Sequence, residues 1–252
     1  MQSDRQIKLV IGEPATGTIF YASQALLEFT SEYFRSALRN QHLGNVQKDT
    51  LSFPDDELNS WKVLLFWIVA RELPSVDEIC STGSGQNDDG MHSVYVRCWV
   101  LGDKYDIPAF QDLIMLELLK TFHYGSTLTI ENPKLALENT PPGSVLRELV
   151  VEEVLNGLQS KVIDCERLDE LDGIVGFMSR VMMKRNGLYQ GEVFSSRLPI
   201  ANGSVTVPYH KGKSPYTIFM VGGDVPRQHW LHDGLSKAKE HSTARGTKSR
   251  WD

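Results

Sequence analysis

Hydrophobic positions in this chain change period several times, and each change marks an element. Ile7 to Ile11 alternates weakly and predicts a strand. Gly12-Glu13-Pro14-Ala15-Thr16-Gly17 carries turn chemistry, and Thr18 to Ala22 reads as a returning strand, so the pair predicts a hairpin. Ser23 can cap a helix, because its hydroxyl can accept from free backbone N–H groups. Ala25, Leu26 and Phe29 then fall at helical spacing, and after Thr30-Ser31 a second apolar face follows with Tyr33, Phe34, Ala37 and Leu38. Two short helices after a strand predict a helical hairpin, its apolar faces buried on each other and on a sheet.

Residues 40–48 are polar and read as a loop, and Thr50-Leu51-Ser52-Phe53-Pro54 predicts a short third strand that stops at proline. Asp55-Asp56-Glu57 precedes a helix over Trp61 to Arg71, acidic residues being favourable at the positive end of the helix dipole. That helix is apolar on most sides and reads as central, with Pro74 beyond its end and Ser75-Val76-Asp77-Glu78 as a capping box. Ser81 to Gly90 contains no apolar residue and predicts an exposed, mobile loop. Ser93 to Lys104 predicts a helix, and Asp106 reads as the cap of the next, with Pro108 in its first turn and Phe110, Leu113, Ile114 and Leu118 in register to about Phe122. Further on, Ser144 reads as the cap of a helix to about Ser160, and a second helix is predicted from about Asp164 to Lys184. Val193-Phe194, Val205 to Tyr209 and Tyr216 to Val221 read as short strands, and Arg227 to Asp252 as disordered.

Composition narrows the function classes. At 252 residues, 41% hydrophobic and 23% charged, the chain has an ordinary globular composition with enough apolar content for a real core. No apolar run approaches the roughly 20 residues of a bilayer span, and the first ten residues carry no apolar segment of a secretory signal. Three cysteines, Cys80, Cys98 and Cys165, lie far apart without a C-x-x-C, which argues against a disulfide framework or zinc site and for a reducing compartment. Asn202-Gly203-Ser204 matches a glycosylation sequon but reads as a turn. The net charge of −6 is uneven: residues 1–125 carry 10 basic and 17 acidic side chains (−7), and residues 126–252 carry 16 and 15 (+1). Even the mildly basic stretch 188–252, with 9 basic and 5 acidic side chains (+4), lacks the concentrated basic face of a general nucleic-acid binder.

Candidate chemistry is sparse. His229-Trp230-Leu231-His232 offers two ligands, which do not make a metal site. No G-x-S-x-G elbow is present, and Gly83-Ser84-Gly85 is not a phosphate cradle, since no strand leads in and no Lys-Ser/Thr follows. Asp55-Asp56-Glu57 and Asp169 to Asp172 read as helix starts or solvated faces before they read as acid/base pairs. Lys211-Gly212-Lys213-Ser214-Pro215 resembles a proline-directed phosphorylation site and equally an ordinary turn. No internal repeat is visible, so no propeller is expected. Neither catalysis nor a cofactor or metal is expected.

Two stretches resemble the BTB/POZ family. Phe20 to Arg39 carries a leucine pair, a serine and a Tyr-Phe-Arg run in the family's order, and Leu101-Gly102-Asp103-Lys104-Tyr105-Asp106-Ile107-Pro108 before a leucine-rich helix is its second mark, with Gly102 in place of the usual alanine. The likeness covers about residues 7–122 and is nearest the fungal branch, whose short helical extension Thr140-Pro141-Pro142-Gly143-Ser144-Val145-Leu146-Arg147 resembles. It implies an α+β fold, a small mixed sheet flanked by a cluster of helices, in three parts: 1–123 as the BTB/POZ domain, 124–187 as a helical extension, and 188–252 as a partly ordered to disordered tail.

The resemblance implies protein–protein association as a scaffold or adaptor, cytoplasmic or nuclear, without membrane or nucleic-acid binding. The partner would be a second copy, another BTB protein, or a cullin scaffold if the chain recruits substrates to a ubiquitin ligase; a transcription-associated regulator is the other family role. Family dimers use the strand and first-helix face, which makes Tyr21, Gln24, Leu27 and Tyr33 the candidate association residues, expected to fall off the core face. Two departures touch that face. The acidic residue usual in the first strand is absent, with Lys8 or Leu9 near its place, and Ala22-Ser23-Gln24 replaces the usual Ala-His-Lys/Arg.

Overall fold

Three short strands and a succession of helices make a mixed α+β fold. The computed structural model describes residues 5–13, 15–39, 49–75, 88–123, 131–159, 163–189, 200–201, 204–205, 219 and 221. The readings for residues 40–48, 76–87, 193–194, 206–218 and 227–252, including the capping box, His229 and His232, lie outside the described residues.

Strands β1 (Gln6–Ile11) and β2 (Thr18–Ser23) form the expected antiparallel hairpin, and β3 (Thr50–Phe53) joins β1 in parallel, giving the order β2-β1-β3. Between β2 and β3 run the short helices α1 (Gln24–Thr30) and α2 (Glu32–Arg39), the crossover that a parallel pair needs. Register sorts the side chains: Ile7, Leu9 and Ile11 are buried, while Lys8 pairs with Tyr21 and Val10 with Ile19 on the opposite side of the sheet. Ser23 caps α1 through the Leu26 N–H at 3.1 Å. Ser31 does more than predicted. Its Oγ accepts from the Tyr33 and Phe34 N–H groups (3.0 and 3.4 Å) and donates to the Tyr105 carbonyl, so one hydroxyl both caps α2 and ties it to a distant helix end.

Helix α3 (Leu58–Ala70) starts where the acidic run ends, with Glu57 accepting from Ser60 N at 3.0 Å. It closes at Arg71 in the left-handed region, whose N–H meets the Trp67 carbonyl at 2.8 Å. Helices α4 (Asp88–Lys104) and α5 (Pro108–His123) follow, and α4 begins five residues earlier than expected, taking Asp88-Asp89-Gly90 out of the loop assigned to them. Asp106 is not the cap of α5. It sits at φ 52° after α4, and Ile107 N–H reaches back to the Gly102 carbonyl at 2.9 Å, closing the preceding helix.

Helices α6 (Glu131–Glu138), α7 (Val145–Gln159) and α8 (Phe177–Tyr189) complete the set. The sequence reading missed α6, although Pro133 in its first turn is a start signal. Ser144 caps α7 through Arg147 N–H as predicted. The single helix expected from Asp164 to Lys184 is instead a 3₁₀ turn over Cys165–Leu171 and then α8. Gly173 and Gly176 lie between them at φ 83° and 79°, a backbone region that ends right-handed helix. In the tail, β4 (Ile200–Ala201), which was not expected, pairs with β5 (Ser204–Val205), of which only Val205 falls in an expected strand, and Phe219 and Val221 are not in a strand.

One hydrophobic core runs from the sheet through α3, α4 and α5 to α7 and α8, and Phe219 is part of it. Phe219 is almost fully buried and the Val221 N–H donates to Asp112 Oδ1, so the residues beyond 188 contribute core that the sequence reading did not assign them. Cys98 is a buried free thiol, and burial pushes its pKa well up, which removes it from thiolate chemistry.

An ion cluster joins α7 to α8. Arg180 holds Glu148 in a bidentate pair (2.7 and 2.8 Å), and Lys184 Nζ bonds Glu148 Oε2 at 3.1 Å and Glu152 Oε1 at 2.5 Å. Burial alone raises the Glu148 carboxyl, but the two cations outweigh it and hold it below its ordinary value. Glu152 is more enclosed, with Oε2 lacking a donor, and burial pushes it up to about 7 despite Lys184. A carboxyl raised on folding stabilises fully below its ordinary 4.5, and that contribution is lost as pH rises through about 7. The shift corresponds to about 3 kcal/mol. Glu152→Gln is therefore expected to match wild type at pH 5 and exceed it by about 1–3 kcal/mol at pH 8. Urea unfolding at both pH values checks this, and an equal difference at the two would contradict the assignment. Glu148 acts in the opposite sense, losing its contribution only as pH falls through its lowered pKa.

Candidate association face

Exposed apolar side chains gather early in the chain. Among the described residues, eleven large hydrophobics are exposed, and five of them (Ile19, Tyr21, Leu26, Phe29 and Tyr33) fall on β2, α1 and α2. Scattered exposed apolar side chains are ordinary, and it is their concentration on three successive elements that makes this part of the chain the candidate face.

The four residues singled out from sequence separate. Tyr21 is 68% exposed on edge strand β2, beside the half-buried Lys8. Gln24 opens α1, half-buried, and donates from Nε2 to Glu28 Oε1 at 2.7 Å. Tyr33 is 43% exposed, its ring 4.9 Å from that of Tyr105 and 5.5 Å from that of Phe34, so it presents one edge of an aromatic cluster to solvent. Leu27 is a correction. It is fully buried, and its neighbours Leu26 and Phe29, read as core, are the exposed ones. The helix is only seven residues long, too short to show a period, and packing against the rest of the core takes Leu27 rather than Leu26 inward.

Sequence reasoning also missed a contribution from α3. Phe66 and Val69 are exposed three residues apart on one helical face. Phe29, 76% exposed, is held at the end of that helix by Arg71, whose guanidinium lies 5.3 Å from the Phe29 ring and 5.0 Å from that of Trp67. A helix that is apolar on most sides, as α3 is, gives no sign of which of them is left uncovered.

Behind this face sits a rigid backing. Phe34, Phe53, Trp61 and Tyr105 pack ring against ring, with centroids 4.5–6.4 Å apart. Asp56 anchors the cluster: Oδ2 accepts from Trp61 Nε1 at 2.8 Å and from the Tyr105 hydroxyl, and Oδ1 pairs with Lys104 Nζ at 2.7 Å. Burial, then the Asp56 carboxylate, drives the Tyr105 pKa far up, so its hydroxyl stays a donor. The Asp-Lys-Tyr run thus joins α4 to the start of α3, and Asp103 accepts from Gln111 Nε2 at 3.3 Å. A Cβ at Gly102 would lie 2.7 Å from Gln111 Cγ, so a larger residue there would require Gln111 to shift.

Two of the three acidic residues 55–57 are accordingly spent on structure, since Asp56 satisfies three donors and Glu57 caps α3, while Asp55 is exposed. Among the described residues no group of three or more His, Cys, Asp or Glu could hold a metal ion, and no helix is long and apolar enough to cross a membrane. Comparison of the chain with protein-family models and with curated proteins finds no match.

Proposed function

We propose that this chain is a protein-association module of the BTB/POZ type, pairing with a second copy or with another protein of that type through the outward side of β2 and the exposed side of α1. The observation that carries the reading is the apolar group Ile19, Tyr21, Leu26, Phe29 and Tyr33, left in water on well-formed elements. Apolar surface is worth about 25 cal/mol per Å² when covered, so such a group favours a partner. The element order supports the family reading: hairpin, helical pair, parallel third strand, apolar helix, then the Asp-Lys-Tyr helix pair. A two-fold pairing would bring the same residues of both copies together, as an isologous interface requires. The missing acidic residue, with Lys8 or Leu9 near its place, and Ala22-Ser23-Gln24 for the usual Ala-His-Lys/Arg alter partner choice more than affinity, because charged groups at an interface serve specificity first.

Sedimentation velocity tests it. Wild type is expected to gain mass across about 1–100 µM, the range in which micromolar association shows. Tyr21→Asp places a charge in the contact and is expected to weaken association at least ~10-fold, while changing stability by no more than about 0.5 kcal/mol, as an exposed position allows. Unchanged association in a folded Tyr21→Asp would move the interface elsewhere.

A further inference from the structure

Arg147, in the first turn of α7, is only 8% exposed, and its Nε is enclosed without a hydrogen-bond acceptor. Neighbouring cations are matched. Arg180 holds Glu148, and Lys184 is shared by Glu148 and Glu152. The Glu148 carboxylate next in the chain is thus already engaged by Arg180 and Lys184, and Arg147 Nε is left without an acceptor. A charge taken out of water without a counter-charge is costly, so folds keep one mainly where something supplies the anion.

The surroundings are those of a ligand site. Arg147 borders a cavity of about 280 Å³ with an apolar part, Leu137 from α6, Val151 from α7 and Phe177 of α8 with Val175 just before it, and a charged part, the Glu148–Arg180 pair, whose charges offset each other. Pro142-Gly143 leads into α7 and Gly176 into α8, so both helices begin at this cavity with the positive ends of their dipoles. The volume lies at the small end of the ligand-pocket range. A planar guanidinium favours carboxylate or phosphate, which it can meet with two parallel hydrogen bonds.

We propose that the cavity between α6, α7 and α8 is a binding site for a small oxyanion on an apolar body, with Arg147 as its counter-charge. The head group is a carboxylate or phosphate, and the body is the size of a short acyl chain or one aromatic ring. The site is independent of the association face: it lies on the helices after residue 130, and neither requires the other.

The test is a ligand-observed NMR titration of the full chain with hexanoate, benzoate and inorganic phosphate, with hexanol as the neutral counterpart of hexanoate. Saturable binding of a carboxylate is expected, with hexanol at least ~10-fold weaker. Arg147→Leu is expected to lose at least ~10-fold in affinity while unfolding at the same or a higher temperature, because an unpaired buried charge is removed. Saturation by phosphate where the carboxylates fail supports the site and identifies the head group. Two wild-type results overturn the proposal whatever Arg147→Leu does: no oxyanion probe saturating below about 10 mM, or hexanol binding as well as hexanoate. Undiminished binding to a folded Arg147→Leu overturns it equally.

Discussion

Leu27→Asp is expected to abolish cooperative folding rather than to loosen association. The side chain is fully enclosed in the core, where a carboxylate would be taken out of water. An uncompensated buried charge costs on the order of 5 kcal/mol, a large share of the ~5–15 kcal/mol that holds a domain together. Chemical unfolding monitored by circular dichroism checks it. A variant that keeps a wild-type midpoint would place Leu27 on the surface and would restore it to the association face. Leu26→Asp is the control, since the same change one residue earlier falls at an exposed position.

Phe34→Ala is expected to cost about 3–5 kcal/mol, the range for deleting a buried aromatic ring. Phe34 has no exposed surface, stacks on Tyr105 at 5.5 Å with 24° between planes, and meets Phe53 and Trp61 at 6.4 and 6.2 Å. Its loss opens a cavity that Asp56 cannot allow to collapse, because three donors hold that carboxylate in place. Urea denaturation of the purified variant measures the cost. A change below about 1 kcal/mol would mean that the aromatic cluster is not the centre of the domain.

How much of this was legible in the chain follows from what each signal depends on. Local chemistry was readable. Turn residues 12–17, the caps at Ser23 and Ser144, and the acidic start of α3 all act within a few residues of where they stand. The three-strand sheet and the helical hairpin followed from those boundaries. Direction was not readable where a helix is too short to show a period. In seven residues, Leu26 and Leu27 are equally good core candidates, and tertiary packing decided between them. The break at Gly173 and Gly176 needed the backbone angle, since glycine inside a helical pattern is tolerated as often as it terminates.

Of the candidate face, Tyr21 and Tyr33 stand exposed as expected, while Ile19, Phe29, Phe66 and Val69 emerge only once the helices are placed. Apolar residues read from sequence are assigned inward by default, so an apolar surface is the feature such reading hides. The same holds for Glu152 and Arg147. Their burial depends on how α7 meets its neighbours, and nothing in a Ser-Val-Leu-Arg helix start distinguishes an enclosed arginine from a solvated one.

Residue-level covalent footprinting across a dilution series tests the association reading most directly. A carbene or hydroxyl-radical label is applied at about 1 µM and about 100 µM, a span that covers micromolar association. Labelling of Ile19, Tyr21 and Phe29 is expected to fall at the higher concentration, while Val175 and Met183, exposed on the helices after residue 170, label equally at both. Labelling of the three that is independent of concentration, in a chain that gains mass over the same range or gains none, would contradict association through this face.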